Sequence, residues 1–141
     1  LPHRQQICGE HDRIAWVDDS ISTTPESTLA ALDAFGARDI VLLAGGQDRG
    51  QDYTALGAAL ARSGGAIVGM PTTGERAVAA ARRAGVPPER AIAAAELASA
   101  VEAARSIARP GSVILLSPAA PSYDHFRNFE ERGDRFRALA T

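Results

Sequence analysis

The sequence predicts an α/β fold, a Rossmann-like and mostly parallel sheet flanked by helices, with an N-terminal β-hairpin. Two observations carry this. Short apolar runs bounded by turn residues occur at Ile40–Ala44, 66–70 and Val113–Leu116, as in strands buried on both faces. Helical patterns alternate with these runs, and that rhythm requires crossover connections between parallel neighbours.

The elements follow in chain order. Residues 6–8 and 14–17 read as two strands joined by the polar turn Gly9-Glu10-His11-Asp12-Arg13. Thr24-Pro25-Glu26 supplies an N-cap, a proline at the first helical position and an early acid. Leu29, Leu32 and Phe35 then recur on one face until Gly36. Further helices are expected over 53–62, 74–84, 96–108 and 123–140, and a short strand at 91–93. Leu97, Val101, Ala104 and Ile107 line one face of the fourth helix; Phe126, Phe129, Gly133 and Phe136 line the last. In its last helix, Ser122 is the expected cap.

A length of 141 residues suits one domain with one core, so residues 1–141 are read as a single domain. With 45% hydrophobic residues and a formal charge of -2, neither a nucleic-acid-binding polycation nor an acidic disordered tail is indicated. All fifteen basic residues are arginine. That removes lysine-dependent chemistry, because a guanidinium stays charged. The single cysteine, Cys8, forms no internal disulfide, which agrees with a reducing compartment, and the expected localisation is cytoplasmic. No apolar run approaches the roughly 20 residues needed to cross a bilayer, and no membrane insertion is expected.

Ligands of open α/β sheets bind beyond the carboxyl ends of the strands. Three polar loops fall there. Asp18-Asp19-Ser20-Ile21-Ser22-Thr23-Thr24-Pro25 leads from a strand into a capped helix, whose free N–H groups attract anions. Ala44-Gly45-Gly46-Gln47-Asp48-Arg49-Gly50 pairs two glycines with an arginine placed to hold an anion. It matches neither the dinucleotide fingerprint nor the P-loop, which needs a lysine. Leu116-Ser117-Pro118-Ala119-Ala120-Pro121-Ser122 is stiffened by two prolines. Each loop alone has an ordinary structural explanation, but their convergence on one edge favours binding. No spacing assembles a Ser-His-Asp triad or a His/Cys metal cluster, so no catalytic residue and no metal ligand is assigned.

Leu1-Pro2-His3-Arg4, Asp19-Ser20-x-x-Thr23, Gly45-Gly46-x-Asp48-Arg49, Leu116-Ser117-Pro118-Ala119 and Ser122-x-Asp124-x-Phe126-x-Asn128-Phe129-Glu130-x-Arg132-Gly133 resemble the C-terminal third of the Mur ligases that join glutamate to UDP-N-acetylmuramoyl-L-alanine. The resemblance covers nearly the whole chain, and its last string is the most specific part. It implies two upstream domains outside this chain, one for the UDP-sugar and one for ATP and Mg2+. It further implies an amide-forming reaction through an acyl phosphate, in peptidoglycan precursor synthesis. By the same resemblance Arg4 and Asp19 contact the nucleotide, and Thr23, Arg49, Ser122, Tyr123 and Phe129 surround the glutamate. The implied partners are glutamate, ATP, UDP-N-acetylmuramoyl-L-alanine and the upstream domains.

Two positions depart from the family pattern. Arg49 and Ile21 stand where lysine is usual, which leaves the enantiomer of glutamate open between D and L. Without the resemblance, the same residues also suit a free-standing Rossmann-like module that binds a small anion without catalysis.

Overall fold

The computed structural model describes residues 1–140. Its elements are β1 (Gln6–His11), β2 (Ile14–Asp18), α1 (Pro25–Ala34), β3 (Ile40–Ala44), α2 (Thr54–Ser63), β4 (Ala66–Gly69), α3 (Gly74–Ala84), a 3-10 turn (Pro88–Arg90), β5 (Ala91–Ala93), α4 (Leu97–Ile107), β6 (Val113–Leu116) and α5 (Phe129–Ala140). The six strands form one sheet in the order β1-β2-β6-β3-β4-β5. Only the β1–β2 pair is antiparallel. The expected α/β fold with its N-terminal hairpin is what the chain forms.

The buried strands carry apolar side chains alternately to two faces, and each face has its own core. On one side Val17, Leu42, Ile67 and Leu115 pack against Leu32 of α1, Leu56 and Leu60 of α2, and Ala77 and Ala81 of α3. On the other, Trp16, Val41, Leu43, Val68, Ile114 and Leu116 meet Leu97, Val101 and Ala104 of α4 and Phe136 of α5. Trp16 and Phe136 lie with ring centroids 5.8 Å apart. This two-sided burial leaves the strand ends as the place where polar groups can gather.

Local chemistry explains the element boundaries. Thr24 Oγ1 accepts from the Ser27 N–H (3.2 Å) and Ser27 Oγ accepts from the Thr24 N–H (3.4 Å), closing a capping box behind Pro25. Glu96 and Ser99 form the same device at α4. α2 ends on Gly64, which takes the left-handed conformation that a residue without Cβ adopts freely.

Two expectations are corrected. The hairpin strand runs to His11, and the five-residue turn shrinks to Asp12-Arg13, whose φ values of 54° and 61° match the two-residue turn suited to twisted strands. Glu10 and His11 are exposed on the edge strand, so their polarity imitates a loop. The last helix begins at Phe129 and not near Tyr123. The Ser122 carbonyl accepts the N–H groups of His125 (3.1 Å) and Phe126 (2.8 Å), but the turn goes no further. Asn128 Oδ1 accepts from the Glu131 N–H at 2.8 Å and is the actual cap. Ser122 therefore lies outside α5, six residues before its cap.

Candidate functional site

The loops that follow β2, β3, β4 and β6 leave the same sheet edge and are laced together there. The Gly45 N–H donates to the Pro118 carbonyl at 2.8 Å, and the Gln47 N–H to the Pro121 carbonyl at 2.8 Å. The Ala119 N–H donates to Ser22 O at 3.0 Å, and the Thr72 and Thr73 N–H groups share Gly46 O. Buried Tyr53 donates through its hydroxyl to Thr73 Oγ1 (2.9 Å) or Ala119 O (3.0 Å), and burial pushes its pKa up. Such interlocking makes the edge one rigid surface built from four loops.

The paired glycines serve this lacing. Gly45 has φ 123°, and a Cβ there would sit 2.9 Å from the Met70 nitrogen. A Cβ on Gly46 would strike the Pro121 carbonyl and lie 3.2 Å from Arg132 Nη1. The close approach that the two glycines allow is by the protein's own neighbouring loops.

Arg132 is the centre of the arrangement, and reading the sequence passed over it. It is 1% exposed, a rare state for arginine, and its bonds go to one hydroxyl and two backbone carbonyls. Its Nε donates to Ser20 Oγ (2.9 Å), Nη2 to Ser20 O (2.8 Å) and Nη1 to Ala120 O (3.0 Å), tying α5 to the loops after β2 and β6. Burial lowers its pKa to about 10, opposed by the charges of Asp124 and Asp18, so it remains a cation at neutral pH. The only sequence signal for it was its place in the string shared with the Mur ligases.

The expected glutamate residues are distributed around this centre. Thr23 is half-buried and Ser122 is 2% exposed; neither hydroxyl bonds to another described residue. Arg49 is exposed, its guanidinium folded back onto Gln47 Oε1 at 3.0 and 3.2 Å. Next to it, the Asp48 carboxyl is held below the usual range by the Gly50 N–H and then by Arg76. Tyr123 is 61% exposed, and Phe129 is half-buried with its carbonyl accepting from Ser20 Oγ at 2.7 Å. None of these five lines the cleft of about 250 Å³ nearby, whose walls include Gly46, Met70, Glu96, Asp124 and Arg132. Of the five, Arg49 and Tyr123 stand open to solvent, whereas Ser122 is buried.

The two expected nucleotide residues differ sharply. The Arg4 side chain is exposed and bonds to no described residue, so its guanidinium is available to a phosphate. Asp19 is 1% exposed. Its Oδ1 accepts from the Gln5 N–H (3.0 Å), and its Oδ2 accepts from Ser22 Oγ and Ser117 Oγ (both 2.6 Å). Burial raises its pKa, and the Ser117, Ser22 and Gln5 hydrogen bonds only partly offset that. In this state both oxygens are occupied within the domain. Among the described residues no group of three or more His, Cys, Asp or Glu side chains gathers to hold a metal ion. No helix among them is long and apolar enough to cross a membrane.

A mostly parallel sheet covered on both faces, with four polar loops laced together at its carboxyl edge, defines an α/β domain of Rossmann-like build. Residues 3–120 match the family model described as Mur ligase, glutamate ligase domain, and the chain belongs to that family. It is 41% identical over 136 residues to UDP-N-acetylmuramoyl-L-alanine--L-glutamate ligase of Salinispora tropica, covering 96% of this chain and 30% of that protein. With the L-glutamate ligase of Xylella fastidiosa strain Temecula1 it shares 44% identity over 99% of this chain and 31% of the relative. The UDP-N-acetylmuramoylalanine--D-glutamate ligase of Chlorobaculum tepidum is 43% identical over 99% of the chain and 29% of its own length. Thus the chain spans about three-tenths of the curated relatives it matches. Among solved structures, the MurF ligase of Thermotoga maritima in complex with ADP superposes with a TM-score of 0.65 at 14% identity. That match covers 99% of this chain and 31% of the other, and it is a likeness of fold.

Proposed function

We propose that this chain is the amino-acid-binding domain of an ATP-dependent ligase that adds glutamate to UDP-N-acetylmuramoyl-L-alanine. The observation that carries the reading is the open edge itself. Thr23 and Ser122 carry hydroxyls that no described neighbour uses, Ser122 in a buried position, while Arg49 and Arg4 are exposed, and internal bonds hold the loops around them. An open, half-built cradle suits a domain that closes against others, and the relatives' greater length leaves room for them.

In this reading Arg49 pairs with a glutamate carboxylate, while Thr23, Ser122 and the backbone about Tyr123 and Phe129 orient the rest of the molecule. Arg4 meets the nucleotide phosphates. Asp19 joins the nucleotide site only if it exchanges an internal partner for a ribose hydroxyl. The reaction phosphorylates the muramoyl-alanine carboxylate with the γ-phosphoryl of ATP. The glutamate amine then attacks the acyl phosphate, forming the amide and releasing ADP and phosphate. No step of proton transfer falls to this chain; its residues position the amine. Mg2+ belongs to the upstream ATP domain in this scheme, and no step is assigned to a metal here.

The test is an assay of the complete ligase carrying this domain, with D- and L-glutamate in parallel, reading amide product by mass and phosphate release. Product from one enantiomer supports the reading, and product from neither overturns it. In the active enzyme, Arg49→Ala should raise the KM for glutamate about 10- to 100-fold, the loss of one charge-assisted pair, and change the KM for ATP far less. Equal effects on both substrates would remove Arg49 from the glutamate site.

A further inference from the structure

The segment ahead of β1 lies at the same sheet edge, because β1 runs antiparallel and Gln6 faces Asp18 at the end of β2. His3 and Gln5, on either side of Arg4, have φ values of 65° and 44°, a region costly for residues with a Cβ. Hydrogen bonds hold both against that preference. The His3 N–H donates to Gln6 Oε1 (3.1 Å), the His3 carbonyl accepts from the Ile21 N–H (3.1 Å), and the Gln5 N–H donates to Asp19 Oδ1 (3.0 Å).

The His3 ring is held more firmly still. Its Nδ1 lies 2.7 Å from Oδ2 of fully buried Asp18, its ring meets Phe129 edge-on at 6.0 Å, and Nε2 is 3.8 Å from Asp134. Asp18 also accepts from Arg137 Nε (2.9 Å) and from the Ser20 N–H (3.0 Å). Gly133 makes the fit possible: a Cβ there would lie 2.7 and 2.9 Å from the Asp18 oxygens and closer yet to His3 Nδ1. Amid these contacts the Arg4 side chain is exposed and bonds to no described residue.

We propose that His3 and Asp18 are positioning residues, which lock a strained kink so that Arg4 is presented to the nucleotide in one fixed direction. Strain of this kind persists only where the surroundings over-determine it, and here they do so on both sides of a single projecting cation. The inference rests on the assignment of Arg4 to the nucleotide made above.

A double-mutant cycle in the complete ligase separates positioning from general stabilisation. Kinetic constants for ATP and glutamate and the melting temperature are measured for Arg4→Ala, His3→Ala, the double variant and His3→Asn. Arg4→Ala is expected to lower kcat/KM for ATP tenfold or more while changing the KM for glutamate less than twofold. His3→Ala should reproduce most of that loss, and the double variant should be no worse than Arg4→Ala alone. His3→Asn, which tolerates the left-handed region and keeps an N–H for Asp18, should recover activity to within about threefold of the parent. If His3→Ala does not accumulate, Asp18→Asn takes its place in the cycle. Losses that multiply in the double variant, or a lower melting temperature with unchanged nucleotide kinetics, overturn the inference alone. An Arg4→Ala enzyme with normal nucleotide kinetics overturns the assignment beneath it.

Discussion

Asp19 shows how much a single carboxylate can be asked to do at this edge. It joins three segments, bonding the Gln5 N–H, Ser22 and Ser117, while burial disfavours its charge. Because its folded-state pKa is raised above the ordinary 3.8, the folded state binds more protons than the unfolded state between those two values. Stability therefore falls as pH rises through that interval. Asp19→Asn keeps an acceptor for Gln5 and can donate to both serine hydroxyls, yet carries no charge. Its melting temperature should gain on the parent's as pH climbs from below 3.8 towards neutrality, in thermal scans across pH. A gap that stays constant with pH would show that burial of the ionised carboxylate does not limit stability here. The same substitution in the complete ligase reports on the ribose contact, since it should weaken ATP only if Asp19 leaves its internal partners.

At the scale of elements, α5 is attached in two different ways, and the two should be separable. Phe136, fully buried against Trp16, fixes the helix to the sheet; Arg132, four residues earlier, fixes it to the loops. Phe136→Ala should cost about 3–5 kcal/mol, through lost transfer energy and a cavity. Arg132→Met strips donors from two carbonyls and should cost on the order of 3 kcal/mol. The difference lies in where the protein opens. Arg132→Met should accelerate amide hydrogen exchange selectively at Gly45, Gln47 and Ala119, whose N–H groups lace the loops, whereas Phe136→Ala should affect the sheet and helices more evenly. Identical exchange patterns would mean that Arg132 acts only through global stability. Gly133 belongs to the same device, for its missing side chain is what lets His3 and Asp18 reach α5.

For the whole molecule, binding and turnover should be separable. Arg4 and Arg49 are exposed, and no cluster of metal ligands forms among the described residues. Positioning groups without a phosphoryl-transfer centre should not turn over nucleotide. The isolated 141-residue chain is expected to release no phosphate from ATP above background, with or without glutamate. Sustained release that co-purifies with the chain would refute its role as one part of a larger ligase.

Much of this architecture could be read from the amino-acid order, because the signals are local. Apolar runs of four or five residues are strands whether or not the partner strand is known. Thr24-Pro25 begins a helix by the chemistry of its own N–H groups, and Gly64 ends one by its freedom at positive φ. The strand ends, and therefore the loops that carry Thr23, Arg49 and Ser122, followed from the same reasoning, and the family string placed the chain among the Mur ligases. What only tertiary structure decided are the contacts between residues far apart in sequence. Nothing near Arg132 in the chain announces that it will be buried against Ser20, 112 positions away, and nothing near His3 foretells Asp18 or the vacancy at Gly133. The start of α5 escaped for a related reason: Ser122 and Asn128 are both good caps, and the choice between them depends on a loop held by β3 and β6. Local rules determine which elements form; burial and long-range hydrogen bonding decide where some of their ends fall, and which polar groups at those ends are consumed by the fold and which are left for a ligand.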